Sequence, residues 1–283
     1  MFKNTILELC PDVQFFSVPS THGKSDLTVF RSASREVFDI LTDTFSTVER
    51  ASIDEAYIDL TAEVKSLKNQ EYTIQSLKNT AVGLCKELEN FDAASVAKLN
   101  DAEKNLLYGA VLMERCRQKI EEVCSFQLSA GIAGNKMLAK LVCGFNKPNK
   151  QTVVLPKNVK EIMDSTKIEK VRNFGGKLGS EIKSKLKVEF CGEICSKYSL
   201  NDISKYFCEE TANWVYSLGR GVDHEIVTNR TDVKSVGCSK MFLGKSMIKM
   251  KGEAVKWIGY MCEELKSRLK FEEEEVISRM GWI

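Results

Sequence analysis

Residues 47–61 read TVERASIDEAYIDLT, and this stretch decides the interpretation of the fold. It is rich in valine, isoleucine, tyrosine and threonine, which favour strands. The polar pair Asp54–Glu55 interrupts the apolar pattern, as is typical of a turn. We therefore predict two short strands, at about 47–53 and 56–61, joined by a hairpin turn that carries two neighbouring carboxylates.

The sequence on both sides of this hairpin predicts helices that pack on a sheet. Residues 31–46 place apolar side chains on one face of a helix, and residues 71–91 and 103–124 are also expected to be helical. Residues 126–133, FQLSAGIA, are typical of a buried strand, and residues 135–145 of a helix that follows it. This order of elements predicts an α+β fold with helices packed on an antiparallel sheet.

The second half of the chain predicts two further modules. Residues 157–223 contain short helices joined by glycine-containing turns, as in a small helical domain. Residues 226–236 are polar and lack helical periodicity, so we expect a linker there. Beyond it, residues 236–242 predict a strand and residues 252–269 a helix. One strand and one helix cannot bury two faces, so this last module is expected to be incomplete.

Composition excludes several classes of protein. The chain has 283 residues, of which 43% are hydrophobic and 28% charged, as in a globular protein of one to three domains. No apolar stretch approaches the 18 residues of a membrane helix, and the N-terminus lacks the pattern of a secretory signal. The ten cysteines contain no C-x-x-C motif and the two histidines lie far apart, so we expect reduced thiols and no zinc site.

The net charge of +2 hides an uneven distribution. Residues 1–125 carry 14 basic and 20 acidic side chains, residues 126–190 carry 13 and 5, and residues 191–283 carry 14 of each. The basic middle segment is where a polyanion would bind. The alternative is a solvated, lysine-rich surface, and charge alone does not decide between the two.

The pair Asp54–Glu55 is the strongest local signal of chemistry. Side chains of neighbouring residues can reach the same side of a hairpin turn, and Mg²⁺ prefers carboxylate and phosphate oxygens as ligands. An isolated Asp-Glu pair is more often a solvated turn. Here the apolar neighbours favour a rigidly held pair, because they would anchor the turn on a core sheet; these neighbours are Ile53, Ala56, Tyr57 and Ile58.

Two downstream segments could bind phosphate. Lys147 stands in the turn N-K-P-N, which would fix its ammonium group, and a fixed lysine near a carboxylate-bound metal suits a triphosphate. Residues 173–179, NFGGKLG, place close glycines ahead of a helix, where backbone N–H groups can bind phosphate without reading base sequence. The alternatives are ordinary surface lysines and a plain glycine-rich turn between helices.

Five motifs occur in a fixed order along the chain: RASIDEAYIDLT, SAGIAGNKMLAKLVCGFNKPNKQT, NFGGKLG, RGVDHE and SVGCSKMFLGK. With them, the chain resembles the Y-family of translesion DNA polymerases from about residue 8 to about residue 270. The resemblance implies a partial palm at 1–165 and a helix-hairpin-helix thumb at 166–225. It also implies a linker at 226–236 and an incomplete little finger at 237–283.

The resemblance also implies a role for individual residues. Asp54 and Glu55 match the family's second metal-binding motif and are the expected catalytic residues and metal ligands. Lys147 matches the lysine that contacts the phosphates of the incoming nucleotide. The expected contacts to DNA are Gly175, Gly176, Lys177 and Gly179 in the thumb, with Ser239 and Lys240 in the little finger.

Family members open with a strand that bears the first metal-binding aspartate, followed by the fingers, and this sequence has neither. We therefore expect a truncated polymerase that lacks one carboxylate ligand and is weakly active or inactive by itself. The implied reaction is two-metal nucleotidyl transfer from a dNTP to primer–template DNA, with Mg²⁺, or alternatively Mn²⁺, as cofactor. The implied setting is DNA repair in the nucleus, with no membrane, and a sliding clamp would bind through regions outside this chain.

Two other classes of function stay open. A non-catalytic or regulatory product would bind primer–template DNA without turnover, and binding without extension would favour it. A nucleotide cyclase would share the sheet with paired carboxylates, but the motif NFGGKLG argues against it. A purely structural protein would leave the ordered series of motifs unexplained.

Overall fold

The structure is a computed structural model that describes residues 3–67, 77, 80–84, 96–232 and 235–279. The chain divides into two compact units. One unit is Ser34–Thr231, and the other joins Met1–Ala33 to Asp232–Ile283.

The first half of the chain alternates helices with short strands. In chain order these are α1 (Lys3–Leu9), β1 (Ser20–Thr21), β2 (Lys24–Ser25), α2 (Thr28–Thr44), β3 (Val48–Arg50), β4 (Ala56–Ile58), α3 (Thr61–Leu67), β5 (Thr80–Val82), α4 (Asp101–Cys124), β6 (Ala130–Ile132), α5 (Lys136–Cys143) and β7 (Gln151–Val153). The helices predicted over 31–46 and 103–124 are confirmed, as is the strand followed by a helix within 126–145.

The predicted hairpin is confirmed, with shorter strands than expected. Strands β3 and β4 pair in antiparallel register, with Val48 opposite Ile58 and Arg50 opposite Ala56. The backbone N–H groups of Ala51 and Ser52 both donate to the carbonyl oxygen of Glu55, at 2.9 and 3.1 Å, and so close a compact turn. The acidic pair therefore stands at the tip of a defined hairpin.

The three-stranded sheet is parallel, whereas the sequence predicted only antiparallel pairing. Its strand order is β5–β7–β6, and β7 pairs in parallel with both neighbours. Parallel neighbours need a crossover connection, and helix α5 supplies it between β6 and β7. The crossover is tight, because a Cβ atom on Gly131 of β6 would lie 2.0 Å from the carbonyl oxygen of Ala139 in α5. The α+β class is confirmed, with the antiparallel pairing restricted to small hairpins such as β3–β4.

The helix predicted over residues 71–91 is wrong where the structure describes this segment. Residues 80–82 form β5, and both Thr80 and Ala81 are buried. Pairing with the buried strand β7 overrides the local helical pattern, because the edge of that strand offers a complete set of backbone partners. The remainder of the predicted helix falls on residues outside the described ranges, apart from Leu77 and residues 83–84.

Helices α6 to α10 form the helical module that residues 157–223 predicted. Their bounds are α6 (Val159–Ser165), α7 (Lys177–Leu186), α8 (Cys191–Lys197), α9 (Leu200–Ile203) and α10 (Glu209–Gly219). Met137 and Val142 of α5 belong to the same buried apolar cluster as Ile162, Ile182 and Val215 of this module. The helical module therefore packs directly on α5, inside the same compact unit as the hairpin.

Part of the stretch expected to be a linker pairs with the hairpin. We call residues 225–230 the return segment, since they bring the chain from α10 back to β3. The N–H of Arg230 donates to Val48 O at 2.9 Å, and the N–H of Arg50 donates to Arg230 O at 2.7 Å. The amide oxygen of Asn229 accepts from the N–H of Val48 at 3.3 Å. The return segment thus lies along the free edge of β3.

The strand predicted at 236–242 is wrong, because residues 235–243 have no regular secondary structure. Side chains hold this segment instead of a strand partner. The guanidinium of Arg268 donates to Gly237 O at 2.6 Å, and the ammonium of Lys240 donates to Gly23 O. The helix predicted over 252–269 is confirmed within α11 (Lys251–Arg279). In the described part of the chain, no helix has the length and apolar character needed to cross a membrane.

Candidate active site

The tip of the β3–β4 hairpin presents Asp54 and Glu55 on the protein surface, where both are exposed. The hydroxyl of Ser52 donates to Oδ1 of Asp54 at 2.6 Å. On the adjoining side, the hydroxyl of Ser34 in α2 donates to the carbonyl oxygen of Ile53. These contacts fix the tip against α2 and leave the two carboxylates open to solvent.

Glu55 faces helix α5. Its carboxylate forms an ion pair with the ammonium of Lys140, and the two side chains are 44% and 40% exposed. An ion pair with this exposure contributes only about 0–1 kcal/mol to stability, so it can open at little cost to share Glu55 with a bound cation. The sequence motifs gave no sign that Lys140 would pair with the hairpin.

Lys147 lies in the loop after α5 and is exposed. Its positive charge acts on the thiol of Cys143, the last residue of α5. Burial raises the pKa of this thiol, Lys147 and Lys140 lower it, and Glu55 raises it. All three charges therefore lie within electrostatic reach of one sulfur atom. Of these charges, Glu55 and Lys140 are in direct contact as an ion pair, and Asp54 precedes Glu55 at the hairpin tip.

Beneath this surface lies a buried ion network centred on Lys136, which is 3% exposed. Its ammonium donates to both carboxylate oxygens of Glu49 at 3.0 and 2.9 Å, and to Oε1 of Glu225 at 2.7 Å. It also donates to Ile226 O at 3.2 Å. Lys136 therefore joins helix α5, strand β3 and the return segment through ion pairs.

The pKa values of the buried pair follow from these contacts. Burial opposes ionisation of Glu49, but the N–H of Thr228 and the ammonium of Lys136 outweigh it, so the pKa of Glu49 is lowered. Burial likewise opposes the charge of Lys136, but Glu225 and Glu49 outweigh it and raise its pKa. Both groups are therefore ionised in the folded protein at neutral pH.

Tyr57 links this network to the hairpin tip. The ammonium of Lys136 lies 4.7 Å from the centre of the Tyr57 ring, and the guanidinium of Arg172 lies 5.5 Å from it. Arg172 also donates to Oε2 of Glu225 at 2.7 Å. Because Tyr57 follows Glu55 by two residues on β4, cations from α5 and from the helical module hold the strand that follows the acidic pair.

The glycine turn that is expected to contact phosphate lies directly before α7. A Cβ atom on Gly179 would lie 1.7 Å from the carbonyl oxygen of Phe174, so only glycine fits there. Gly175 and Gly176 are exposed, and Gly176 precedes the first residue of the helix. The first N–H groups of a helix have no partner within it and can bind an anion. Lys177 at the start of α7 is exposed beside them.

Ser239 and Lys240 belong to the unit formed by residues 1–33 and 232–283. Ser239 is exposed. The ammonium of Lys240 lies 5.4 Å from the centre of a Trp257 ring, in addition to its bond with Gly23 O. Within their own unit, Lys240 therefore lies between the ring of Trp257 and the backbone of Gly23.

The residues at the hairpin tip fit a magnesium ion. Among the residues that the structure describes, no group of three or more His, Cys, Asp or Glu side chains forms a metal cage. Mg²⁺ does not need one, since it binds through one or two carboxylates and completes its shell with water and substrate phosphates. The two exposed carboxylates of Asp54 and Glu55 are donors of this kind.

The fold and this site define a class of protein. The family model described as "impB/mucB/samB family" matches residues 1–144, and the model "DNApol eta/Rev1, HhH motif" matches residues 166–222. The chain therefore belongs to the impB/mucB/samB family, the Y-family of DNA polymerases, as its motifs predicted.

Three eukaryotic DNA polymerases are among the proteins similar to this chain. The chain is 32% identical to DNA polymerase eta of Drosophila melanogaster over 93% of this chain and 33% of the relative. It is 34% identical to DNA polymerase eta of Arabidopsis thaliana over 94% of this chain and 41% of the relative. DNA polymerase iota of Homo sapiens is 34% identical over 50% of this chain and 18% of the relative. The chain thus spans well under half the length of these three relatives.

Proposed function

We propose that this chain supplies palm and thumb elements of a DNA-directed DNA polymerase that acts in translesion synthesis. The reaction would transfer a nucleotide from a dNTP to the 3′-hydroxyl of a primer, with release of pyrophosphate. The observation that carries the proposal is the exposed acidic pair Asp54–Glu55 at the tip of a defined hairpin, with Glu55 held in an ion pair by Lys140 of α5. Family membership and the names of the relatives support it.

Each residue of this site would have a distinct role. Asp54, held by Ser52, and Glu55 would be the protein ligands of Mg²⁺, with Mn²⁺ as the alternative metal. When bound, the metal would neutralise charge on the phosphates and make the primer hydroxyl a better nucleophile. Lys147 would bind phosphate oxygens of the nucleotide, and Lys140 would hold the Glu55 carboxylate in place until the metal shares it.

Primer–template DNA would bind through its backbone. The turn at Gly175, Gly176 and Gly179 would bring backbone N–H groups to a phosphate, and the exposed Lys177 would add a positive charge at the start of α7. Ser239 and Lys240 would meet template phosphates in the same manner. Contacts to the DNA backbone do not depend on base sequence, which suits an enzyme that copies many templates.

Finer parts of the proposal concern the activity of the chain by itself, its location and a further partner. The chain alone would be weakly active, because only Asp54 and Glu55 would hold the metal. Each positioned charged group in such a site contributes about 10²–10³ in rate. The second candidate is therefore a non-catalytic chain that binds primer–template DNA, and the exposed glycine turn favours it. A nuclear location and contact with a sliding clamp belong to the same proposal.

Primer extension on an undamaged template with Mg²⁺, repeated with Mn²⁺, tests the proposal. We expect weak, metal-dependent extension that disappears in Asp54→Asn and Glu55→Gln, because each change removes a charged metal ligand. The matched control is Asp43→Asn, which neutralises an exposed aspartate at the end of α2. Binding of primer–template DNA without extension would support the second candidate. Extension that is equal in all four proteins would overturn the proposed catalytic role of the hairpin.

A further inference from the structure

We propose that Arg117 is a positioning residue that holds the loop of residues 144–150 so that Lys147 faces the nucleotide. The inference rests on the proposed function, because it gives Arg117 a part in binding the same nucleotide. Arg117 lies on α4, away from every motif that the sequence singled out. Its contacts carry the argument.

Arg117 bridges two segments that the fold brings together. Its Nε atom donates to Leu128 O at 2.7 Å, and its Nη2 atom donates to Oδ1 of Asn149 at 2.7 Å. A guanidinium is planar and presents its donors in a fixed fork. The bond to Leu128, just before β6, therefore fixes the direction in which the second bond meets the loop.

The loop is tied down on both sides of Lys147. Asn149 follows Lys147 by two residues and has a backbone φ of 48°, a left-handed conformation that asparagine adopts more readily than most residues. On the other side, the amide of Asn146 donates to the hydroxyl of Thr152 at 2.9 Å. A lysine between two fixed neighbours loses less freedom when it binds a phosphate, so the loop is arranged for binding in advance.

Arg117 itself is in no position to reach a phosphate. The residue is 5% exposed, and its guanidinium is committed to Leu128 and Asn149. Burial lowers the pKa of Arg117, while the carboxylates of Glu114 and Glu121 act in the opposite direction and balance its charge. An effect of Arg117 on nucleotide binding would therefore pass through the loop.

The variant Asn149→Gly isolates this contact. It removes the acceptor, keeps the left-handed backbone accessible and leaves the bond from Arg117 to Leu128 in place. The measurement is the Kd of dTTP for the complex of the chain with a dideoxy-terminated primer opposite a template dA, with Mg²⁺. We expect binding about tenfold weaker, the loss typical of one hydrogen bond to a charged group. Asn149→Asp, which keeps the acceptor, should stay within about threefold of the unmodified chain.

The matched control is Asn213→Ala, which removes one asparagine side-chain hydrogen bond, to Glu209 O, on helix α10. It should leave the Kd unchanged. If Asn149→Gly also left the Kd unchanged while Lys147→Ala weakened binding, the inference would be wrong and the proposed function would stand. If Asn149→Asp bound as weakly as Asn149→Gly, the acceptor would not be the cause and the inference would again be wrong.

A double-mutant cycle with Lys147→Ala distinguishes positioning from a general structural role. Lys147→Ala alone should weaken dTTP binding by at least about tenfold. In that background Asn149→Gly should add nothing, because the group that it positions is already absent. A full further loss would contradict the inference. No effect of Lys147→Ala would contradict the proposed function of Lys147 and, with it, the role of Arg117 in nucleotide binding.

Hydrogen exchange tests the structural half of the inference without any ligand. Amides of residues 145–150 should exchange faster in Asn149→Gly than in the unmodified chain, and Asn213→Ala should not change them. Unchanged exchange in Asn149→Gly would show that the contact between Arg117 and Asn149 does not hold the loop.

Discussion

The ammonium of Lys136 lies 2.9 Å from Oε2 of Glu49, and the two side chains are only 3% and 9% exposed. Removing both charges from water is costly, and the pair is balanced only because further donors and acceptors surround it. Glu225 adds a second carboxylate, and Thr228 adds a backbone N–H and a hydroxyl to Glu49. The contact therefore fixes the β3–β4 hairpin, helix α5 and the return segment to one another.

The first prediction concerns the stability of this network. Lys136→Met keeps the length of the side chain but leaves Glu49 buried without its cation. We expect the free energy of unfolding to fall by about 3 kcal/mol, as is typical when one partner of a buried ion pair is removed. Denaturant titration measures it, with Lys119→Met on the exposed face of α4 as the control. A loss below about 1 kcal/mol would show that the network contributes little to the stability of the fold.

The second prediction concerns pH. The pKa of Glu49 is lowered from an ordinary value of 4.5, so its contribution is complete above that pH and is lost as the pH falls through the lowered value. The pKa of Lys136 is raised from 10.5, so its contribution is complete below that pH and is lost as the pH rises through the raised value. The network therefore stabilises the fold fully between about pH 4.5 and 10.5.

Thermal unfolding across this pH range measures the effect. The difference in stability between the unmodified chain and Glu49→Gln should be constant inside the window and should shrink at acid pH. The opposite trend, with a difference that grows as the pH falls below 4.5, would contradict the assigned direction of the Glu49 pKa.

Much of the site could be predicted from the sequence because its signals are local. The hairpin of residues 48–58 combines strand-forming residues with an acidic turn, and Lys147 stands in a turn of its own. The burial of Lys136 could not be predicted, since its partners lie 87 and 89 residues away along the chain. Spacing on α5 shows only that a lysine is present, not which side of the helix is covered.

The parallel sheet was missed and the strand at 236–242 was wrongly predicted because both depend on partners that are distant along the chain. Strand β7 has three residues, all buried, so it shows no alternation of polar and apolar side chains. Without β7 the parallel sheet could not be predicted. Residues 236–242 show local strand character, but a strand forms only with a partner edge, and the contacts of Lys240 and Arg268 hold this segment in another conformation.

The third prediction concerns the glycine turn. Gly179→Ala would place a methyl group 1.7 Å from the carbonyl oxygen of Phe174, which forces the backbone apart. We expect a loss of at least about 2 kcal/mol in stability, by analogy with overpacking in a core, and weaker binding of duplex DNA. Gly134→Ala is the control, because no atom lies within 4 Å of its added Cβ. Equal melting temperatures for the two variants would refute the close approach.

The fourth prediction concerns the phosphate contact at Lys177. Lys177→Ala should reduce the slope of log K for primer–template DNA against log salt by about 0.9, the value for one phosphate contact. Lys160→Ala removes the same charge, but Lys160 is already paired with Asp164 at 2.5 Å, so its slope should change less. Fluorescence anisotropy at several salt concentrations measures both slopes. Identical slopes in the two variants would show that Lys177 makes no specific phosphate contact.

The central claim is that the acidic pair at the hairpin tip and Lys147 share one pocket for a metal-bound nucleotide. The most direct test is the Mn²⁺-induced relaxation of the phosphorus nuclei of dTTP in the complex with primer–template DNA. We predict strong relaxation in the unmodified chain and in Asp43→Asn, and a loss of the protein-dependent part in Asp54→Asn, Glu55→Gln and Lys147→Ala. Relaxation that is the same in all five proteins would contradict the claim.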